Sequence, residues 1–174
     1  METSDLQLIE RLQRGEDAAF DELLSRYKHP LINFCYRILG DAGDADDVAQ
    51  EVFVRVYQRI GDYRPRGQLS TWLFAMARNA CIDKVRYRKR HPTEPLEGAP
   101  EPATNAQYDD TGEHIAAAIA ELPEEQRTAI VLAEYHGMSY AEIAGVMNCS
   151  EKSVESRLYR AKQTLRQRLA HLLE

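Results

Sequence analysis

No stretch of this sequence approaches the ~20 consecutive apolar residues that a membrane-spanning helix needs. The N-terminus, METSDLQLIERLQRGED, lacks the basic and apolar regions of a secretory leader. Cysteine is scarce. Cys35, Cys81 and Cys149 are odd in number, far apart and in no metal-ligand spacing, so reduced, buried thiols are expected. These absences together predict a cytoplasmic protein with no membrane insertion. Also missing are a phosphate-cradling glycine loop and a paired nucleophile and base. An enzyme therefore has no support, and no catalytic residue, cofactor or metal is expected.

Charge is present in quantity but unevenly placed. The net charge of −6 argues against a nucleic-acid binder until its distribution is read. Acid is concentrated in the first sixty or so residues and between Glu94 and Glu113. Arg78, Lys84, Arg86, Arg88, Lys89 and Arg90 face only Asp83 in their segment. Lys152, Arg157, Arg160, Lys162, Arg166 and Arg168 face only Glu151 and Glu155. Two basic helices on an acidic chain suggest DNA contact inside a larger assembly. Alone the chain should bind DNA weakly, because long-range attraction follows the summed charge.

Apolar periodicity near 3.6 predicts an all-α fold: two small helical domains joined by a flexible linker. Ser4 and Gln7 form a capping box for a first helix, with Gly15 as its stop. A second helix spans 17–39, with a kink expected at Pro30 and an end at Gly40. Asp44 is read as the cap of a third, which Gly61 ends; Val48, Val52, Val56 and Ile60 form its inner stripe. Asp46, Asp47, Gln50 and Glu51 lie off that stripe near the helix start, where acid suits the dipole. The loop DYRPRGQL precedes a long helix opened by Ser70 or Thr71 and running to Arg90. Its basic tail contains Tyr87, a combination suited to stacking on unpaired bases beside phosphate contacts, or simply to a solvated helix end.

Residues 92–112, with Pro92, Pro95, Pro100 and Pro102 among acids, read as an extended linker between domains 1–91 and 113–174. Ile115 and Ile119 mark a short helix, Pro123 starts a central one, and Gly137 can cap it. The segment 137–168 then carries the C-terminal domain's main feature. Ser139 and Glu142 form a capping box, and Asn148-Cys149-Ser150 breaks the pattern. Val154, Leu158, Ala161 and Leu165 recur as one stripe, leaving Lys152, Ser156, Tyr159, Arg160 and Gln163 on a polar, basic face. This describes a helix-turn-helix whose second helix enters the major groove. A plain helical hairpin would show a similar pattern.

These residues resemble the bacterial sigma factors of the small extracytoplasmic-function group of the sigma-70 family. DADDVAQEVFVRVY is similar to the family's core-binding helix. YRPRGQLSTWLFAMARNACIDKVR resembles its promoter-melting loop and −10-reading helix. LPEEQRTAIVLAEYHGMSYAEIAGVMNCSEKSVESRLYRAK resembles its −35-reading domain. The resemblance implies a non-enzymatic factor that binds core RNA polymerase, through the β′ clamp coiled coil and the β flap, and opens promoter DNA. It also implies an anti-sigma partner. By resemblance, Asp47, Gln50 and Glu51 meet β′. Tyr63 and Asn79 hold a flipped −10 base, and Trp72 lies at the melting edge or in the core. Arg64, Arg66, Arg78, Lys84 and Arg86 belong to the same −10 surface. Ser156, Tyr159 and Arg160, with Lys152, Glu155 and Gln163, make up the −35 surface. Arg157, on the flank of the stripe, is expected to pair with Glu142. Glu155 departs from the family, which often has a basic residue there. A stand-alone helix-turn-helix regulator and a protein-interaction module are the other readings.

Overall fold

The computed structural model describes residues 4–92 and 110–173. Eight α-helices carry the fold, and no strand occurs among the described residues. Helix α1 (Asp5–Gln13) opens on the expected box: Ser4 Oγ accepts the Gln7 N–H at 3.3 Å, and Gln7 Oε1 accepts the Ser4 N–H at 3.2 Å. Helix α2 (Asp17–Leu39) continues as one element through Pro30 and ends at Gly40.

Two helix starts differ from expectation. Helix α3 (Ala42–Arg59) is capped by Asp41, whose carboxylate accepts the Asp44 N–H at 2.8 Å. Gly40 holds the left-handed backbone (φ 72°), so Asp41 takes the extended conformation that a cap requires. Asp44 thus falls inside the first turn. A 3-10 turn at Ile60–Asp62 carries the chain through Gly61, which is not a stop. Helix α4 (Leu69–Arg90) begins at Leu69, before Ser70 and Thr71. Its Gln68 cap makes no side-chain bond, and Asp5 of α1 instead accepts the Leu69 N–H at 3.3 Å.

Helix α5 (Asp110–Ala120) starts three positions before the expected boundary at 113; the rest of the expected linker, 93–109, lies outside the described residues. Helices α6 (Glu124–Glu134), α7 (Tyr140–Met147) and α8 (Glu151–Arg168) follow. Gly137 (φ 61°) turns the chain after α6, and the Met138 N–H reaches the Leu132 carbonyl at 3.1 Å.

In the N-terminal unit α2 is central and packs on α3 and α4. Leu8, Leu23, Leu31, Phe34, Val52, Val56, Leu69 and Leu73 are fully shielded there. Burying each such side chain contributes about 1.5–3 kcal/mol. In the C-terminal unit α6 is central, as its apolar run predicts, and Ala129 to Leu132 are all buried between α7 and α8. The two units also meet: α4 packs along α7, and α2 along α6.

Candidate nucleic-acid interface

The turn between α7 and α8 is built by Asn148, which takes the left-handed region (φ 50°) that few side chains other than Asn tolerate. The Cys149 N–H closes the turn on the Ala144 carbonyl at 3.1 Å. Ser150 Oγ then accepts the Ser153 N–H at 3.1 Å and caps α8. Val154, Leu158 and Ala161 are buried. The stripe faces inward, and Lys152, Glu155, Ser156, Tyr159, Arg160 and Gln163 are all exposed on the outside. Gln163 donates to the Tyr159 hydroxyl at 2.8 Å, which holds the phenol along the helix.

Arg157 is not part of that surface, and its partner is not Glu142. Its guanidinium pairs with Glu125 of α6 at 3.0 Å and donates to Cys149 Sγ at 3.1 Å. Glu142 is already committed to the capping box, accepting the Ser139 N–H at 2.6 Å. Arg157 therefore fastens α8 to α6 and to the turn. Among the described residues Glu155 has no hydrogen-bond or ion-pair partner, so neither Lys152 nor Tyr159 engages it.

On the N-terminal unit, Tyr63 and Trp72 stack with ring centroids 4.1 Å apart and planes 22° from parallel. Trp72 is half-buried, so it both packs on the core and supports the loop's aromatic ring. Partial burial, with Asp5 nearby, raises the Tyr63 phenol above its ordinary pKa. Helix α1, which carried no site expectation, holds this loop at both ends. Gln13 donates to the carbonyls of Ile60 at 3.1 Å and Tyr63 at 2.9 Å, and Asp5 takes the Leu69 N–H. Pattern reading missed Gln13 because a polar residue at a helix end looks like solvent-facing surface.

The remaining −10 candidates divide. Arg64, Arg66, Asn79 and Arg86 are exposed, with Arg64 donating to the Tyr63 carbonyl at 3.3 Å. Lys84 is tied to Asp44 at 3.4 Å, and Arg88 joins the same carboxylate while donating to the Leu39 carbonyl at 3.1 Å. Burial pushes the Asp44 pKa up, but Arg88 and Lys84 outweigh it and hold the group below its ordinary value. The base of the basic tail is thus bolted to the start of α3. Arg78 lies against Glu124 of α6 at 3.4 Å and is only 13% exposed.

Asp47, Gln50 and Glu51 are exposed together on α3, opposite Val48, Val52 and Val56. Gln50 donates to Asp46 at 2.9 Å, and Glu51 pairs with Arg55. Beside them an apolar groove of about 440 Å³ separates α2 from α3, lined by Phe20, Leu24, Ile32, Phe53, Val54 and Tyr57. Sequence reading passed over it, although Val54 and Tyr57 are apolar residues off the inner stripe. Among the described residues no helix is long and apolar enough to cross a membrane.

The family model for Sigma-70 region 2 matches residues 23–91, and that for Sigma-70, region 4 matches residues 113–165. The chain is 34% identical to the RNA polymerase sigma-H factor of Pseudomonas aeruginosa, over 97% of this chain and 95% of that protein. It is 33% identical to the ECF RNA polymerase sigma factor SigM of Mycobacterium tuberculosis, over 98% of this chain and 87% of the relative. Among solved structures, CnrH in complex with the cytosolic domain of CnrY matches with a TM-score of 0.76 and 25% identity, over 97% of this chain and 99% of that one. The chain belongs to the sigma-70 family, in its extracytoplasmic-function group, and its function is promoter-directed transcription initiation.

Proposed function

We propose that the protein joins core RNA polymerase and divides promoter reading between its two helical units. Helix α8 enters the major groove of the −35 element with Ser156, Tyr159 and Arg160 toward base edges, and with Lys152 toward phosphate. The loop from Tyr63 and the outer face of α4 work on the −10 element. An aromatic there stacks on an unpaired base, and the Asn79 amide can bond a base edge once it leaves the duplex. Asp47, Gln50 and Glu51 meet the β′ clamp coiled coil, and the C-terminal unit meets the β flap. The protein works in the cytoplasm, without catalysis, cofactor or metal. CnrH was solved in complex with the cytosolic domain of CnrY, and an anti-sigma factor is proposed as a partner of this chain.

The observation that carries this reading is the separation of faces on α8. Six polar residues at helical spacing are exposed, while the stripe behind them is buried and both helix ends of the turn are capped. A stand-alone regulator would use that face too, but would leave the α3 acidic cluster and the stacked Tyr63–Trp72 pair without a task. Run-off transcription with purified core polymerase on genomic promoters separates the two. Promoter-specific transcripts should require both core enzyme and this chain. Promoter binding in the absence of core, with no transcripts in its presence, would reject the sigma reading.

A further inference from the structure

Two of the chain's cysteines meet in the core of the N-terminal unit. Cys35 of α2 and Cys81 of α4 are both fully shielded, and their thiols hydrogen-bond to each other. Packing on either side fixes that meeting. Phe34, the neighbour of Cys35, meets Phe74 edge-on, with ring centroids 5.4 Å apart; Phe74 lies about two turns before Cys81. Arg88, about two turns after Cys81, donates to the Leu39 carbonyl at 3.1 Å, one turn beyond Cys35. The thiol pair is held between these contacts, so α2 and α4 cannot slide apart at the sulfurs while the core is closed.

The proton between the thiols is not shared evenly. The hydrogen bond to Cys35, and then burial, push the Cys81 thiol well above its ordinary pKa. Cys81 therefore stays the S–H donor, and Cys35 is the sulfur left to react first. A thiol sealed in a core is ordinarily inert. Here a second thiol waits in contact with the first, so any oxidised Cys35 is captured before it can revert or oxidise further.

We propose that Cys35 and Cys81 form a reversible oxidation site, closed to a disulfide by peroxide, that withdraws α4 from promoter opening. The regulatory consequence rests on the sigma reading above. The chemistry balances in two steps. The Cys35 sulfur attacks one peroxide oxygen, breaking the O–O bond and giving a sulfenic acid and one water. The Cys81 thiol then attacks the Cys35 sulfur, forming the S–S bond and releasing a second water. The two cysteines lose two electrons, and hydrogen peroxide takes them. Peroxide is close to water in size, and it enters as the last turn of α2, just beyond Cys35, opens locally.

A disulfide brings two sulfurs to about 2.05 Å, so hydrogen-bonded thiols must approach by on the order of 1 Å. A close-packed core passes that movement to its helices rather than absorbing it. Asn79 lies two residues before Cys81, on the exposed face of α4. The shift moves it out of place for a flipped base, while the outer faces of α3 and α8 are left unchanged.

The test uses the full chain treated with hydrogen peroxide and then freed of it, beside a sample re-reduced with dithiothreitol. Peptide mass spectrometry should find Cys35 joined to Cys81, with Cys149 outside the bridge. The bridged chain should bind −35 duplex and core polymerase as before. Run-off transcription and permanganate reactivity at the −10 element should fall about tenfold or more, the scale of a ~1 Å misplacement at a reacting group. Re-reduction should restore both. Cys35→Ala should initiate normally and stay active after the same treatment. Cys81→Ala should leave Cys35 as a sulfenic acid that dimedone labels. If either variant fails to fold, the bridge and its reversal in the wild type decide alone. No Cys35–Cys81 bridge at peroxide levels that oxidise Cys149, full initiation by the bridged chain, or an equal loss in Cys35→Ala would each overturn the proposal. A reduced wild type that does not initiate would instead reject the sigma reading.

Discussion

Gln13 and Tyr63 are 50 residues apart, and the Gln13 amide donates to the Tyr63 main-chain carbonyl at 2.9 Å while also reaching Ile60 at 3.1 Å. One side chain of α1 therefore sets the height of the loop whose aromatic ring stacks on Trp72. Gln13→Ala should cost about 1–2 kcal/mol of stability for two partly exposed hydrogen bonds. It should leave core polymerase binding intact and reduce permanganate reactivity at the −10 element. Gln13→Glu keeps the length but turns a donor into an acceptor facing two carbonyls, so it should lower strand opening at least as much. Normal opening by both variants would show that the loop positions itself without α1.

The acidic face of α3 gives a second prediction. Asp47 is exposed with no ion-pair partner among the described residues, while Glu51 shares its charge with Arg55. Both lie away from the buried valines, so Asp47→Lys with Glu51→Lys should leave the helix content and melting temperature nearly unchanged. Co-purification with core polymerase should fall sharply. Retention of normal core binding would place the polymerase contact elsewhere, with the apolar groove beside Val54 and Tyr57 the next surface to alter.

The helices and the two faces of α8 could be read from the sequence because they are local: caps, glycine stops and a 3.6-residue period act within a few positions. The two shifted helix starts were not legible for an equally physical reason. At α3, two aspartates three residues apart can each cap, and the left-handed Gly40 decides between them. At α4 the first N–H is satisfied by Asp5, 64 residues earlier, which no local pattern encodes. Arg157 shows the same limit. Its flank position was readable, but the choice of Glu125 over Glu142 depends on how α6 crosses α8. The positions of Arg78 and His136 depend on packing between units and left no sequence signal beyond a basic residue and a turn histidine.

His136 makes the packing of α6 against α2 and α4 sensitive to pH. Burial between the aromatic rings, and then the charge of Arg37, lower its pKa from 6.5 to about 4. The folded chain therefore binds fewer protons than the unfolded chain at mildly acid pH. Its stability should be complete above pH 6.5 and decline as the pH falls from 6.5 toward 4. The melting temperature should fall between pH 6.5 and 5, before most carboxylates titrate. His136→Phe keeps the ring against Phe74 and should remove that fall. An identical fall in wild type and variant would assign the pH response to other groups.

Glu155 carries the last prediction. Its carboxylate is exposed at the edge of the surface that holds Lys152 and Arg160, and no partner among the described residues neutralises it. Two effects compete there. A carboxylate near phosphates lowers affinity for every sequence. It can also accept a hydrogen bond from cytosine N4, discriminating by ~1–3 kcal/mol at one base pair. Glu155→Lys separates these. Pure repulsion predicts stronger binding to all −35 duplexes and a salt dependence steeper by ~0.9, the slope of one added phosphate contact. Base reading predicts weaker binding to the native −35 element and a new preference at one position. Lys152 and Arg160 already supply charge on this face, so a lone carboxylate between them is better explained by selectivity than by a uniform repulsion of phosphates. We expect the change of preference, measured across a library of −35 variants at fixed salt. A uniform gain in affinity over the whole library would instead assign Glu155 to repulsion alone.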